Sequence, residues 1–215
     1  MAKENKLSRR AAIKLSAGSG FALALGTTPT FSNPTAKKKN LIGEENKKEG
    51  TTSWQLTRVR PDEKQYRSAL IEGCCSRQSI MAGESLDIMG SVDPEEDFQI
   101  DFYRTGYYNG TGGRWLKKVG PLKGKKQVTP KPGEMNIHEC KWEVSTSITI
   151  PEDWLSGVYL GKLRTLPKSP SEPYWESYII FIVKDERETD LLFQCSDNTW
   201  QAYNKWPNNY SIYTH

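Results

Sequence analysis

Histidine is almost missing from this chain: His138 and His215 are the only two in 215 residues. Imidazole-based catalysis therefore has almost no material, and no GxSxG elbow, HExxH pair or phosphate loop is present either. Cysteine is sparse, with four residues, no CxxC pair and no histidine at ligand spacing, which argues against a thiolate zinc site. Glu95, Glu96 and Asp97 lack the spaced oxygen series of a calcium loop and read as a solvated turn. No apolar run approaches the roughly 20 residues that cross a bilayer, so no transmembrane anchor is expected. Basic residues beyond the N-terminus cluster only at 37–39, at Lys117 and Lys118, and at 123–126. Such short runs are solvated segments, and no nucleic-acid partner is expected.

What is present begins with an export signal. Residues 5–26 have a charged head and a mildly apolar stretch broken by Gly18 and Gly20, the form of a signal peptide. The head, Ser8-Arg9-Arg10-Ala11-Ala12-Ile13-Lys14, resembles the twin-arginine export motif, with Ala12 where Phe is usual. That implies a bacterial protein exported already folded, to the periplasm or beyond. Lys3, Lys6, Arg9, Arg10 and Lys14 against Glu4 account for the whole formal net charge of +4, so the chain after residue 26 is near neutral. Residues 27–66 are rich in Thr, Pro, Asn, Lys and Glu and read as a flexible linker, because such a composition cannot offset the entropy of ordering by burial. Trp54 and Leu56 are its candidates for docking onto a neighbouring surface.

Residues 67–190 carry short apolar runs separated by turn signals, the pattern of an all-β domain. Phe98, Ile100 and Phe102 alternate with polar neighbours and predict a strand buried on one face. Cys140, Trp142 and Val144 share one face of a predicted strand that continues to Ile148 and Ile150. Residues 178–183 are continuously apolar, as in a central strand covered on both sides. About seven strands over this length predict an immunoglobulin-like antiparallel β-sandwich, with a jelly roll as the alternative. Cys74, Cys75, Cys140 and Cys195 leave two readings open: one of the adjacent pair bridged to Cys140, or free buried thiols. The loop at 106–113 places Tyr107 and Tyr108 among four glycines. It offers a partner-binding surface, or a hairpin end whose tyrosines fold back on the sheet, which is the preferred reading.

Residues 191–215 begin a new unit. Leu191, Leu192 and Phe193 suggest a strand, and Ser196, Asp197 and Asn198 are helix N-cap types, with Gln201 at capping-box spacing from Asn198. Pro207 ends the helix near Trp206. Tyr203, Trp206, Tyr210 and Tyr213 recur at helical spacing, and on the residues alone they read as a core stripe.

The blocks EGCCSRQSIMAGESLDIMGSVDP, IDFYRTGYYNGTGGR, ECKWEVSTSITIPEDWLSGVYLGKL and LLFQCSDNTWQAYNKWPNNYSIY resemble successive segments of the large-subunit family of N,N-dimethylformamidase. They follow in the same order across residues 68–213. The resemblance implies an immunoglobulin-like sandwich ahead of a larger glutamine-amidotransferase-like α/β domain. In that family the α/β domain holds a mononuclear iron on two tyrosines and a glutamate, and the characterised activity hydrolyses the amide of dimethylformamide. Carried over by block, Tyr203 matches the first tyrosine ligand, while the second tyrosine and the glutamate are expected past His215. The expectation is thus a mainly β chain, truncated after the first strand and short helix of its α/β domain, that lacks most of the iron site and is inactive alone. The partners then expected are a missing α/β domain on a separate chain or a second copy of this chain. The alternative is an exported β-sandwich that binds a polysaccharide or protein through Tyr107 and Tyr108.

Overall fold

The computed structural model describes residues 40–62, 67–208 and 210–213; Arg9, Arg10, the signal segment and residues 27–39 of the predicted linker lie outside them. Among the described residues the apolar runs become eight strands: β1 (Glu72–Cys75), β2 (Ser79–Met81), β3 (Ser85–Ser91), β4 (Asp97–Thr105), β5 (Gly113–Lys123), β6 (Thr146–Thr149), β7 (Gly157–Leu166) and β8 (Glu176–Lys184). Two short helices flank them, α1 (Leu41–Glu45) and α2 (Asp197–Tyr203). The chain is mainly β. No helix among the described residues is long and apolar enough to cross a membrane.

The strands form two sheets in a sandwich-like arrangement, β1-β3-β6 and β2-β8-β7-β4-β5. All pairings are antiparallel except β2 with β8, which run parallel, so the antiparallel expectation fails at one edge. Ile71, Leu86, Ile88 and Val92 join Phe98, Ile100, Phe102, Tyr159, Leu163 and Phe181 in one buried cluster fed by both sheets. Phe98, Ile100 and Phe102 are each 0 % exposed, as their alternation predicts. Burying each such side chain contributes about 1.5–3 kcal/mol, which makes this stripe the main anchor of β4. Trp154, Tyr159 and Phe181 stack in series, with ring centroids 4.9 and 5.5 Å apart. Gly73 permits the close approach of the sheets, because a Cβ there would lie 2.8 Å from Leu163 Cδ1.

Four local expectations change. The strand predicted from Cys140 begins only at Thr146, and Val144 is 53 % exposed. Residues 140–145 are instead tied to the preceding loop: Trp142 Nε1 donates to the Val128 carbonyl at 2.7 Å, and Gln127 Nε2 to the Glu143 carbonyl at 2.9 Å. In β8, Ile179, Phe181 and Val183 enter the core, but Ile180 stays exposed, so the strand is not covered on both faces. Leu191, Leu192 and Phe193 form no strand and stand 89 %, 91 % and 84 % exposed, because no neighbouring strand offers them a ladder.

The fourth change is in residues 40–58, the second part of the predicted linker, which wrap onto the five-stranded sheet. A five-residue helix such as α1 cannot persist on propensity alone. Asn40 Oδ1 caps it by accepting from Gly43 N at 2.8 Å, and Glu45 anchors it. The Glu45 side chain is 2 % exposed and pairs with Arg114 at 2.6 Å, while the Tyr108 hydroxyl donates to it at 3.0 Å. Further on, the Trp54 indole lies against Gly112 and Gly113 and donates to the Thr111 carbonyl at 2.9 Å. A Cβ at Gly113 would meet Trp54 Cδ1 at 2.7 Å, and Gly112 has φ +85°, so the glycines of this loop make room for the ring. Lys162 and Glu176, nearly inaccessible beneath the segment, pair at 3.2 Å. Lys162 Nζ also donates to the Ser53 carbonyl at 2.7 Å, and Thr57 N donates to Glu176 Oε2 at 2.7 Å. Composition misses this because polar contacts with buried charges on the sheet, rather than apolar burial, hold the segment.

Candidate functional site

Between β1, β8, the loop at 138–142 and α2 lies an open cavity of roughly 460 Å³. β1 brings Glu72, Cys74 and Cys75 to its wall, the irregular loop brings His138, Cys140 and Trp142, and the C-terminal segment brings Trp200 and Trp206. At the rim, Arg67 and Glu72 form a short ion pair in which both side chains are largely shielded from solvent. Trp206 Nε1 donates to Glu72 Oε2 at 2.8 Å, and its ring lies 5.6 Å from the Arg67 guanidinium. Trp142 meets the same ring edge-on, with centroids 5.8 Å apart. An indole placed between a cation, a carboxylate and a second aromatic ring gains from each of those contacts.

The thiols are the reactive groups of this wall. Cys140 lies near Cys74, and the interaction between the two thiols, working against burial, holds the Cys74 thiol below its ordinary value. The same interaction and burial push Cys140 up. Burial alone pushes Cys75 up to about 12. The thiolate is the nucleophilic form, so Cys74 is the reactive member of the three. Two polar atoms on the same wall, Ser68 Oγ and His138 Nε2, are buried without a hydrogen-bond partner. His138 Nδ1 faces the Pro130 carbonyl at 3.2 Å, and because a carbonyl only accepts, Nδ1 carries the hydrogen there.

The residues singled out in the sequence are scattered. Tyr203 closes α2 at 65 % exposure, with its ring 5.1 Å from that of Tyr213. No group of three His, Cys, Asp or Glu side chains that could hold a metal occurs among the described residues. Phenolates lie outside those donor types, and no chemical step is assigned to iron. Tyr108 is fully buried, hydrogen-bonded to Arg104 at 3.0 Å, whereas Tyr107 is 69 % exposed. Of the two tyrosines only Tyr107 is open to solvent. Cys195 lies apart from the cavity wall, and the structure brings Cys74, not Cys75, to Cys140. Arg67 and Glu72 carry no local motif, while Trp142 and Trp206 stand in patterns that read as a strand face and a core stripe; the charged Glu72 beside two cysteines in an otherwise apolar strand is the signal that could have flagged the site.

Compared with known families, residues 99–215 match the model described as N,N-dimethylformamidase beta subunit-like, C-terminal. The match starts within β4 and runs through α2, so it joins the sandwich and the C-terminal segment in one homologous block. No curated protein matches the chain.

Proposed function

The chain belongs to the N,N-dimethylformamidase beta subunit-like family, and from that membership we propose that residues 40–213 are the accessory sandwich and first α/β elements of an exported amide hydrolase. In this reading the hydrolytic centre is completed by an α/β domain outside the described residues, in the same polypeptide or a separate chain. The observation that carries it is the exposure of Leu191, Leu192 and Phe193 directly ahead of α2. Three consecutive large apolar side chains in solvent, on a segment pinned by Trp206, have the character of a surface that a further domain covers. Iron and Tyr203 enter through the family: a phenolate at Tyr203 would contribute one hard oxygen donor, suited to a ferric ion. Arg9 and Arg10 support export through the twin-arginine route.

Complementation tests the reading. Purified alone, the chain is expected neither to retain iron nor to release dimethylamine from dimethylformamide. Co-expressed with a polypeptide supplying the family's α/β domain it should do both, and Tyr203→Phe should remove the iron from the complemented complex. Amide hydrolysis by the purified chain alone would falsify the division of labour. Export is checked separately by fusing residues 1–40 to a reporter that matures only when exported folded; Arg9→Lys with Arg10→Lys should retain it in the cytoplasm.

A further inference from the structure

We propose that Cys74 and Cys140 form a disulfide-exchange site that oxidises to an intramolecular bridge, stapling β1 to the loop that holds the C-terminal segment. Three observations converge on it. The two thiols lie close enough to interact, Cys74 on β1 and Cys140 on the 138–142 loop of the same cavity wall. Both line an open cavity, so a small disulfide has access to them. Neighbouring residues carry the consequence: Glu72, two residues before Cys74, accepts from Trp206 Nε1, and Trp142, two residues after Cys140, packs edge-on against the same ring. A bond between Cys74 and Cys140 thus joins the two halves of the platform that seats Trp206.

The chemistry requires a disulfide as oxidant, either a small one such as oxidised glutathione or a protein disulfide. The Cys74 thiolate attacks one sulfur of that disulfide, forms a mixed disulfide and expels the first thiolate. Cys140 then loses its proton to solvent and attacks Cys74 Sγ, and the second thiolate leaves. Two protein thiols are oxidised and one external disulfide is reduced to two thiols, so electrons and protons balance. Cys75, shielded and held protonated on the adjacent position, is a poor competitor for the first step.

The test treats the full chain with oxidised glutathione, quenches with acid, unfolds it and titrates thiols. Of the four cysteines, two should remain reactive, and peptide mapping of the Cys75→Ser variant should show Cys74 joined to Cys140. Cys140→Ser, which lacks the resolving thiol, should instead stop at the mixed disulfide, with Cys74 carrying one glutathione and only Cys75 and Cys195 left as free thiols. Hydrogen exchange of residues 204–208 should slow in the oxidised chain and recover on reduction. Four free thiols after oxidation, a bridge through Cys75 or Cys195, or unchanged exchange around Trp206 would each overturn the proposal. If Cys140→Ser does not fold, the Cys75→Ser map still decides.

Discussion

Residues 40–58 and residues 191–213 both flank the sandwich, and they are held in opposite ways. The first, polar and read from composition as a free tether, is fastened along its length: Glu45 on Arg114 and Tyr108, Trp54 on the glycine loop, Ser53 and Thr57 on the Lys162–Glu176 pair. The second, rich in large apolar residues and read as the start of a domain, is seated at Trp206, Pro207 and Ser211 and leaves Leu191, Leu192 and Phe193 in solvent. The difference shows that docking follows what the underlying surface still needs. The outer face of the five-stranded sheet carries charges that require partners, and the N-terminal segment supplies them. The surface beneath the C-terminal segment takes in Trp206, Pro207 and Ser211 and leaves the larger part of that segment open.

Breaking the N-terminal side at its buried pair should give the largest effect. Lys162→Met leaves Glu176, 1 % exposed, without its cation and should cost about 3–5 kcal/mol in urea unfolding. Acid provides a graded version of the same break. For both Glu45 and Glu176 burial pulls the carboxyl upward, but the hydrogen bonds and cations of Lys48, Arg114, Tyr108, Lys162 and Thr57 outweigh it and hold both below the ordinary 4.5. The unfolded chain then takes up these protons first as pH falls, so their stabilisation is complete above 4.5 and is lost progressively below it. Urea midpoints measured down this range should fall less steeply in Glu45→Gln than in the parent. Trp54→Ala, which removes a half-buried ring and its hydrogen bond, should cost roughly 1–2 kcal/mol by the same assay.

On the C-terminal side the effects should be smaller and local. Trp206→Ala is expected to lower sandwich stability by only about 0.5–1 kcal/mol, yet to open residues 191–213 to limited proteolysis. A loss as large as that of Trp54→Ala would erase the contrast between the two flanks. Smallest of all, Leu191→Lys combined with Phe193→Lys should move the unfolding midpoint by less than about 0.5 kcal/mol while raising solubility. A marked loss of stability there would mean that these side chains pack on the sandwich.

Legibility followed the same division. The β4 stripe was readable because Phe98, Ile100 and Phe102 record burial directly in their spacing. The strand expected from Cys140 was misread because alternation alone cannot tell a laddered strand from a loop pinned by side chains such as Trp142 and Gln127. The candidate site was legible in part. Cys140 could be named as one end of a thiol pair, but which of Cys74 and Cys75 faces it depends on how β1 presents alternate side chains. The seat of Trp206 was not legible, since Arg67 and Trp142, which meet at it, stand 75 positions apart in the chain (142 − 67).

The sequence by itself determined the mainly β class, the inward stripe of β4 and, through its ordered blocks, the dimethylformamidase-like kinship, because apolar periodicity and block order are written along the chain. Only the tertiary structure decided that the polar N-terminal segment is a strap, that Tyr108 is buried while Tyr107 is free, and that Cys74 rather than Cys75 meets Cys140. Each of these depends on which partner a side chain finds across the fold, and pairing between distant residues leaves no trace in local composition.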